Sequence, residues 1–154
     1  MNKELIEFIR KAKQQTYSSL NSKPNETQDG GKTYTIKEKG YTYTDTYFGN
    51  LVDSGQEKVS FNKKVIWVMA YRGGIIEKFE NMHNEAFNFL KRCISKMPKN
   101  FPIRGPRIIK SGNWRYTNNW KGNIEGFIGE ESIYFNNKKI CFRNYLGGMI
   151  KNKK

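Results

Sequence analysis

The chain has 154 residues, of which 28 are lysine or arginine and 14 are aspartate or glutamate, so its formal net charge is +14. This length suits a single domain with one core, and an aromatic content of 14% is too high for a disordered chain. No apolar run approaches the ~18 residues of a membrane span, and residues 1–15 lack a signal-peptide core. We therefore expect one cytoplasmic domain over residues 1–154, without a membrane partner.

Two helices are predicted, one near the start of each half of the chain. Apolar residues recur there at three- and four-residue steps. They are Leu5, Phe8, Ile9 and Ala12 in the first helix, and Ala86, Phe89, Leu90, Cys93 and Met97 in the second. Pro98 is predicted to end the second helix.

Strands are predicted after each helix, because apolar residues then alternate on a two-residue period. The first half shows this at Tyr41, Tyr43 and Tyr47, at Val59 and Phe61, and at Ile66, Val68 and Ala70. Turns such as "SGQE", "FNKK" and "FNNKK" separate the alternating segments. Each half is therefore predicted to form a helix followed by four antiparallel strands, an αββββ unit.

Residues 43–77 align with residues 116–151 after one insertion, with fourteen identical positions. The pairs include Tyr43/Tyr116, Gly55/Gly129, Glu57/Glu131, Asn62/Asn136, Tyr71/Tyr145, Gly73/Gly147 and Gly74/Gly148. We predict an α+β fold of two repeats, about 1–78 and 79–151, related by a pseudo-twofold axis, with an antiparallel sheet packed against two helices. The paired glycines are predicted to supply positive φ or close backbone approach.

Four segments resemble a known family: "YTDTYFG" at 43–49, "RGPR" at 104–107, "GEESIYF" at 129–135 and "YLGGMI" at 145–150. The family is an uncharacterised bacterial domain of unknown function that occurs alone or fused behind an XRE-type helix-turn-helix domain. The resemblance covers residues 1–151 and implies one compact domain, with no catalytic residue to carry over. Because no helix-turn-helix part is expected in this chain, it implies a sensing or ligand-binding role.

Basic and aromatic residues are interleaved at 101–120, "FPIRGPRIIKSGNWRYTNNW". Guanidinium groups bind phosphate and aromatic rings stack on bases, so this pattern indicates a nucleotide or a nucleic-acid strand. The alternative assigns the rings to the core and the arginines to its rim. The candidate ligand-binding residues are Arg104, Arg107, Lys110, Trp114, Arg115, Tyr116 and Trp120, with Tyr43, Tyr71, Tyr145, Asn62 and Asn136 predicted to line a cleft between the halves.

Other chemistries receive less support from the sequence. His83 is the only histidine, and no serine or cysteine nucleophile pairs with it by spacing, so no catalytic residue is predicted. Cys93 and Cys141 lack metal-ligand spacing and are predicted to be buried thiols, with no cofactor or metal. A magnesium-dependent nuclease built from Asp45, Asp53 and Glu57 is retained as an alternative.

Three functions are therefore carried forward from the sequence. The first is a non-enzymatic binding domain that senses or sequesters a phosphorylated, nucleotide-derived small molecule in a basic aromatic cleft. The second is a sequence-tolerant nucleic-acid binder, since residues 79–154 carry 15 basic and 5 acidic side chains. The third is a nuclease-like, metal-dependent enzyme. Against all three, the positive charge alone is also compatible with a surface that only keeps the protein soluble.

Overall fold

The structure, a computed structural model, describes residues 2–16 and 23–154. The helices are α1 (Asn2–Gln15) and α2 (His83–Ile94), and a 3₁₀ helix at Glu77–Met82 leads into α2. The strands are β1 (Asn25–Glu26), β2 (Lys32–Glu38), β3 (Tyr41–Phe48), β4 (Val52–Phe61), β5 (Lys64–Ile75), β6 (Ile108–Ser111), β7 (Trp114–Asn123), β8 (Gly126–Phe135) and β9 (Lys138–Met149). Among these described residues, no helix is long and apolar enough to cross a membrane.

The nine strands of the described residues belong to one antiparallel sheet, in the order β1-β2-β3-β4-β5-β9-β8-β7-β6. The predicted α+β class and antiparallel sheet are confirmed. Strands β5 and β9 are neighbours in the middle of the sheet, and Tyr71 lies directly opposite Tyr145. This central pairing joins the N-terminal and C-terminal strands, so residues distant in sequence meet on one surface.

Both helices pack on the same face of the sheet. The predicted apolar residues of α1 share one core cluster with Tyr43 and Trp67, and those predicted for the second helix share another with Tyr116 and Ile133. Trp67 is completely buried, and its Nε1 donates to the Ile124 carbonyl oxygen over 3.1 Å. Burial on this scale supplies the main stabilising free energy of the fold.

Helix α2 ends at Ile94, one turn before the position predicted from Pro98. Lys96 donates its backbone N–H to the Cys93 carbonyl, and Met97 donates to Ile94, so the chain tightens into three-residue turns before the proline. Met97 is nevertheless buried in the α2 cluster, as its apolar spacing indicated.

The predicted close approach at the glycine pairs is present in the centre of the sheet. A Cβ atom on Gly73 would lie 2.4 Å from the Phe142 carbonyl oxygen, and one on Gly147 would lie 2.3 Å from that of Val68. Because real Cβ atoms do not approach oxygen this closely, a side chain at either position would force β5 and β9 apart.

Candidate functional site

A cavity of about 310 Å³ lies between the helix-bearing face of β2–β5 and helix α2. Its walls include Tyr34, Tyr43, Tyr47 and Tyr71 from the strands, and Phe87 from α2. Tyr34 and Tyr47 lie on neighbouring strands with ring centroids 6.4 Å apart and planes at 20°. The walls of the cavity are therefore largely aromatic.

The buried end of the cavity carries the carboxyl group of Asp45, which is only 6% exposed. The Tyr71 hydroxyl donates to its Oδ1 over 2.6 Å. Tyr71 belongs to β5 and reaches Asp45 on β3 by crossing β4 at Gly55. A Cβ atom on Gly55 would lie 2.6 Å from the Tyr71 hydroxyl, so the contact requires glycine there.

Asp45 differs electrostatically from the other buried carboxyl groups. Burial raises its pKa to about 7 and the charge of Glu57 adds to the rise, while the Tyr71 hydrogen bond and the Lys13 charge oppose it. Among the residues that the structure describes, no lysine or arginine forms an ion pair with Asp45. Its carboxyl group thus titrates near neutral pH while facing the cavity.

Glu57, the next carboxylate along the cavity wall, is satisfied by the protein. Lys13 Nζ lies 3.0 Å from its Oε2, and the Tyr43 hydroxyl donates to its Oε1. Lys13 also donates to the Ile103 carbonyl oxygen over 2.5 Å. Burial lowers the pKa of Lys13, and the Glu57 charge partly offsets this shift.

Two arginines at the cavity are also held by carboxylates. Arg104 makes a two-pronged contact with Glu131, at 3.0 Å from Nε and 2.7 Å from Nη2. Arg143 contacts Asp53 at 2.6 and 2.9 Å. Burial favours the neutral form of Glu131, but the Arg104 charge and its hydrogen bonds outweigh this effect and lower its pKa.

A second tyrosine contact resembles the Tyr71–Asp45 pair but is buried away from solvent. The Tyr145 hydroxyl donates to Asn118 Oδ1 over 2.6 Å, and the Asn118 amide donates to the Gly105 carbonyl oxygen over 2.7 Å. Tyr145 crosses its neighbouring strand at Gly129, as Tyr71 does at Gly55. Asn118 is fully buried, so this second polar centre has no surface open to a ligand.

Cationic side chains lie at the solvent side of the cavity. Lys32 is exposed on the same face of β2 as Tyr34, and Lys91 is half-buried on α2 with its Nζ 4.9 Å from the centre of the Phe87 ring. Neither lysine forms an ion pair with a carboxylate among residues 2–16 and 23–154. The cavity therefore combines a buried acceptor with two lysines at its opening.

The structure brings only three of the twelve sequence-predicted site residues to this cavity: Arg104, Tyr43 and Tyr71. The other nine pack or bond elsewhere, and the cavity walls that residues 2–16 and 23–154 form do not include them. Tyr116 and Tyr145 are buried against Glu131 and Asn118, Trp114 packs on Phe89, Trp120 packs on Phe101, and Asn62 and Asn136 occupy hairpin turns with φ of 48°.

Strand alternation divides the basic segment 101–120 between two faces of the sheet. Trp114, Tyr116 and Trp120 point toward the helices, whereas Arg115 lies on the opposite face, 4.3 Å from the Tyr134 ring centre. The guanidinium carbon of Arg107 instead lies 3.7 Å from the centre of the Trp120 ring. Lys110 is exposed on β6. The cluster seen along the sequence is therefore not one cleft in space.

The carboxylates considered for a nuclease are not arranged as a shared metal site. Asp53 and Glu57 face cationic partners, and among the described residues no group of three or more His, Cys, Asp or Glu side chains is placed to hold a metal ion. Cys93 and Cys141 are free thiols, and burial raises the pKa of each to about 12.

A family model for a domain of unknown function, DUF5680, matches residues 45–150. The chain belongs to this family. The DUF5680 match begins at Asp45 and includes Tyr71, Lys91 and Arg104, whereas Lys13 and the β2 wall of the cavity precede it. No curated protein and no solved structure matches the chain significantly.

Proposed function

We propose that this protein is a non-enzymatic binding domain that senses or sequesters a phosphorylated, nucleotide-derived small molecule. The observation that carries the proposal is the cavity itself, with Asp45 at its buried end, tyrosines along its walls, and Lys32 and Lys91 at its opening. A nucleotide has the matching order of groups, since its base is planar and bears hydrogen-bond donors while its phosphate is anionic.

The balance of charge in the cavity supports an anionic group at the opening. Ion pairs neutralise Glu57 and Asp53, and Arg104 is matched by Glu131. Lys32 and Lys91 lie on the solvent side without such partners among the described residues. Lysine ammonium groups bind phosphate as point charges, which suits a flexible phosphate near solvent.

A binding role is preferred to catalysis because most of the buried ionisable groups are engaged with one another. Using Glu57 or Glu131 as a general acid or base would require breaking its contact with Lys13 or Arg104. The resemblance to domains fused behind helix-turn-helix modules supports sensing. We further propose that the halves are repeats of one unit, which the Tyr71–Asp45 and Tyr145–Asn118 contacts support.

Isothermal titration with mono-, di- and cyclic nucleotides at two salt concentrations tests this proposal. We expect saturable one-to-one binding with a shallow salt dependence, because a small anion releases few counterions. Lys32→Ala and Lys91→Ala should each weaken binding, by roughly 3- to 10-fold for one lost charge contact. Lys110→Ala, an exposed lysine away from the cavity, is the matched control and should leave affinity unchanged. Absence of binding by every nucleotide would overturn the proposal.

A second candidate, sequence-tolerant nucleic-acid binding, is favoured by the opposite face of the sheet. Arg72 lies 5.8 Å from the Phe142 ring centre and Arg115 lies 4.3 Å from that of Tyr134, so cations and rings alternate there. Six phosphate contacts would give a plot of log affinity against log salt with a slope of about −4 to −5. Oligonucleotide binding with this steep salt dependence, weakened by Arg72→Ala and by Arg115→Ala, would favour this candidate. Magnesium-dependent cleavage of the oligonucleotide would instead favour the nuclease.

A further inference from the structure

We infer that Asp45 selects the base of the bound nucleotide, accepting the paired N–H donors of a guanine edge in preference to adenine or hypoxanthine. This inference rests on the proposed function and names the ligand class for the same cavity. It depends on which acceptors the protein itself leaves unused at the buried end of the cavity.

Asp45 retains acceptor capacity that the other buried carboxylates have used. A carboxylate offers about four lone-pair sites, and among the described residues Asp45 receives one hydrogen bond, from Tyr71. Glu57 instead accepts hydrogen bonds from Lys13 and Tyr43. Among the described residues Asp45 has no ion-pair partner, so a ligand that brings hydrogen-bond donors would stabilise its buried carboxylate.

The donors that suit Asp45 belong to a neutral ring. Lys13, Arg104 and Arg143 already supply the cations of this region, each paired with a carboxylate. The Tyr34 ring in the cavity wall favours a planar ring that carries N–H donors over an ammonium group.

Guanine is the purine whose edge matches a carboxylate at two points. Its N1–H and N2–H₂ groups lie side by side and can donate to the two oxygens of one carboxylate. Hypoxanthine keeps N1–H but lacks the amino group, and adenine places an acceptor nitrogen beside its amino group. Each of these loses one hydrogen bond or sets a lone pair against the carboxylate, which a buried polar site discriminates strongly.

Asparagine at position 45 would present a different pattern. Its amide offers one acceptor and one donor, which match the N1–H and O2 of xanthine and mismatch guanine. The fold accepts such a side chain beside a tyrosine hydroxyl, because Asn118 Oδ1 already accepts a hydrogen bond from the Tyr145 hydroxyl over 2.6 Å. Asp45→Asn is therefore a nearly isosteric change that exchanges the expected base preference.

The experiment measures the affinities of guanosine, inosine, adenosine and xanthosine monophosphates for the wild type and for Asp45→Asn by isothermal titration near pH 7.5. The wild type should bind the guanine nucleotide at least ~10-fold more tightly than the inosine and adenosine nucleotides. In Asp45→Asn, guanine binding should fall by about 100-fold and xanthosine monophosphate should become the preferred ligand. Circular dichroism verifies that the variant is folded.

A second variant separates selection by Asp45 from a general loss of the cavity. Tyr71→Phe removes the hydroxyl that orients Asp45, so it should weaken guanine binding several-fold while keeping the order of preference. If wild-type protein binds adenine and guanine nucleotides equally, or Asp45→Asn leaves the preference unchanged, the inference is overturned while the proposed binding function stands. If no nucleotide binds the wild type, the proposed function fails first and the inference fails with it.

Discussion

Replacing Asp45 by asparagine should stabilise the folded protein at pH 8. The wild-type carboxyl group is buried without an ion-pair partner among the described residues, and burial raises its pKa from the usual 3.8 to about 7. At pH 8 the folded protein therefore holds a charge in an unfavourable environment, whereas the unfolded chain exposes it to water. An amide removes that charge, and it can keep the Tyr71 hydrogen bond as Asn118 keeps that of Tyr145.

The sign and size of this effect follow from proton linkage. Below about pH 4 the carboxyl group is protonated in both states and contributes no difference. Between about pH 4 and 7 the unfolded chain releases the proton first, so wild-type stability falls as pH rises, and the loss is complete above pH 7. Three pKa units correspond to roughly 4 kcal/mol, and we expect about half of this, because the asparagine amide also loses water on burial.

Urea denaturation of both proteins at pH 4, 6 and 8 measures the effect. The free energy of unfolding of Asp45→Asn should exceed that of the wild type by about 2 kcal/mol at pH 8, with the difference shrinking toward pH 4. Asn118→Asp is the matched control and should destabilise by at least ~2 kcal/mol, since a carboxylate oxygen would replace the amide that donates to Gly105. A less stable Asp45→Asn at pH 8 would refute the electrostatic argument.

Three further substitutions test the packing around the site. Gly55→Ala should destabilise by roughly 1–3 kcal/mol and displace the Tyr71 hydroxyl, seen as a lower melting temperature together with lost nucleotide binding. Trp67→Ala should lower the free energy of unfolding by roughly 3–5 kcal/mol, and an unchanged urea midpoint would contradict the complete burial of that ring. Arg104→Ala should cost up to roughly 3–5 kcal/mol near pH 7, because the buried Glu131 charge would keep only Tyr116 and the more distant Arg143, at 3.7 Å. The loss should be smaller once acid protonates Glu131, and equal losses at both pH values would contradict the ion-pair explanation.

The elements that the sequence predicted correctly are those controlled by local periodicity. The apolar steps from Leu5 to Ala12 mark the buried face of α1, and the alternation at Tyr41 and Tyr43 marks the buried face of β3. These patterns follow from 3.6 residues per helical turn and from the two-residue repeat of a strand. They required no knowledge of which strands pair.

The cavity was harder to predict because distant parts of the chain build it. Lys13 comes from α1, Tyr34 from β2 and Lys91 from α2, and the sheet order brings Arg143 to the same place. Arg115 shows the opposite error: it is close in sequence to Tyr116, but neighbouring residues in a strand point to opposite faces. A local signal was nevertheless available, since Asp45 aligns with Asn118 within otherwise similar segments.

The contrast between these two tyrosine contacts is itself an argument for ligand binding at Asp45. At Asn118 the amide satisfies both Tyr145 and the Gly105 carbonyl, so the protein supplies every partner and gains stability. At Asp45 the protein instead holds a buried carboxyl group whose pKa burial raises to about 7, so that its ionised form is disfavoured in the folded state. Natural proteins retain such locally unfavourable groups mainly where a ligand or a reaction uses them. The stability of Asp45→Asn and the base preference of the same variant therefore provide two independent tests of the role of the buried Asp45 carboxyl group.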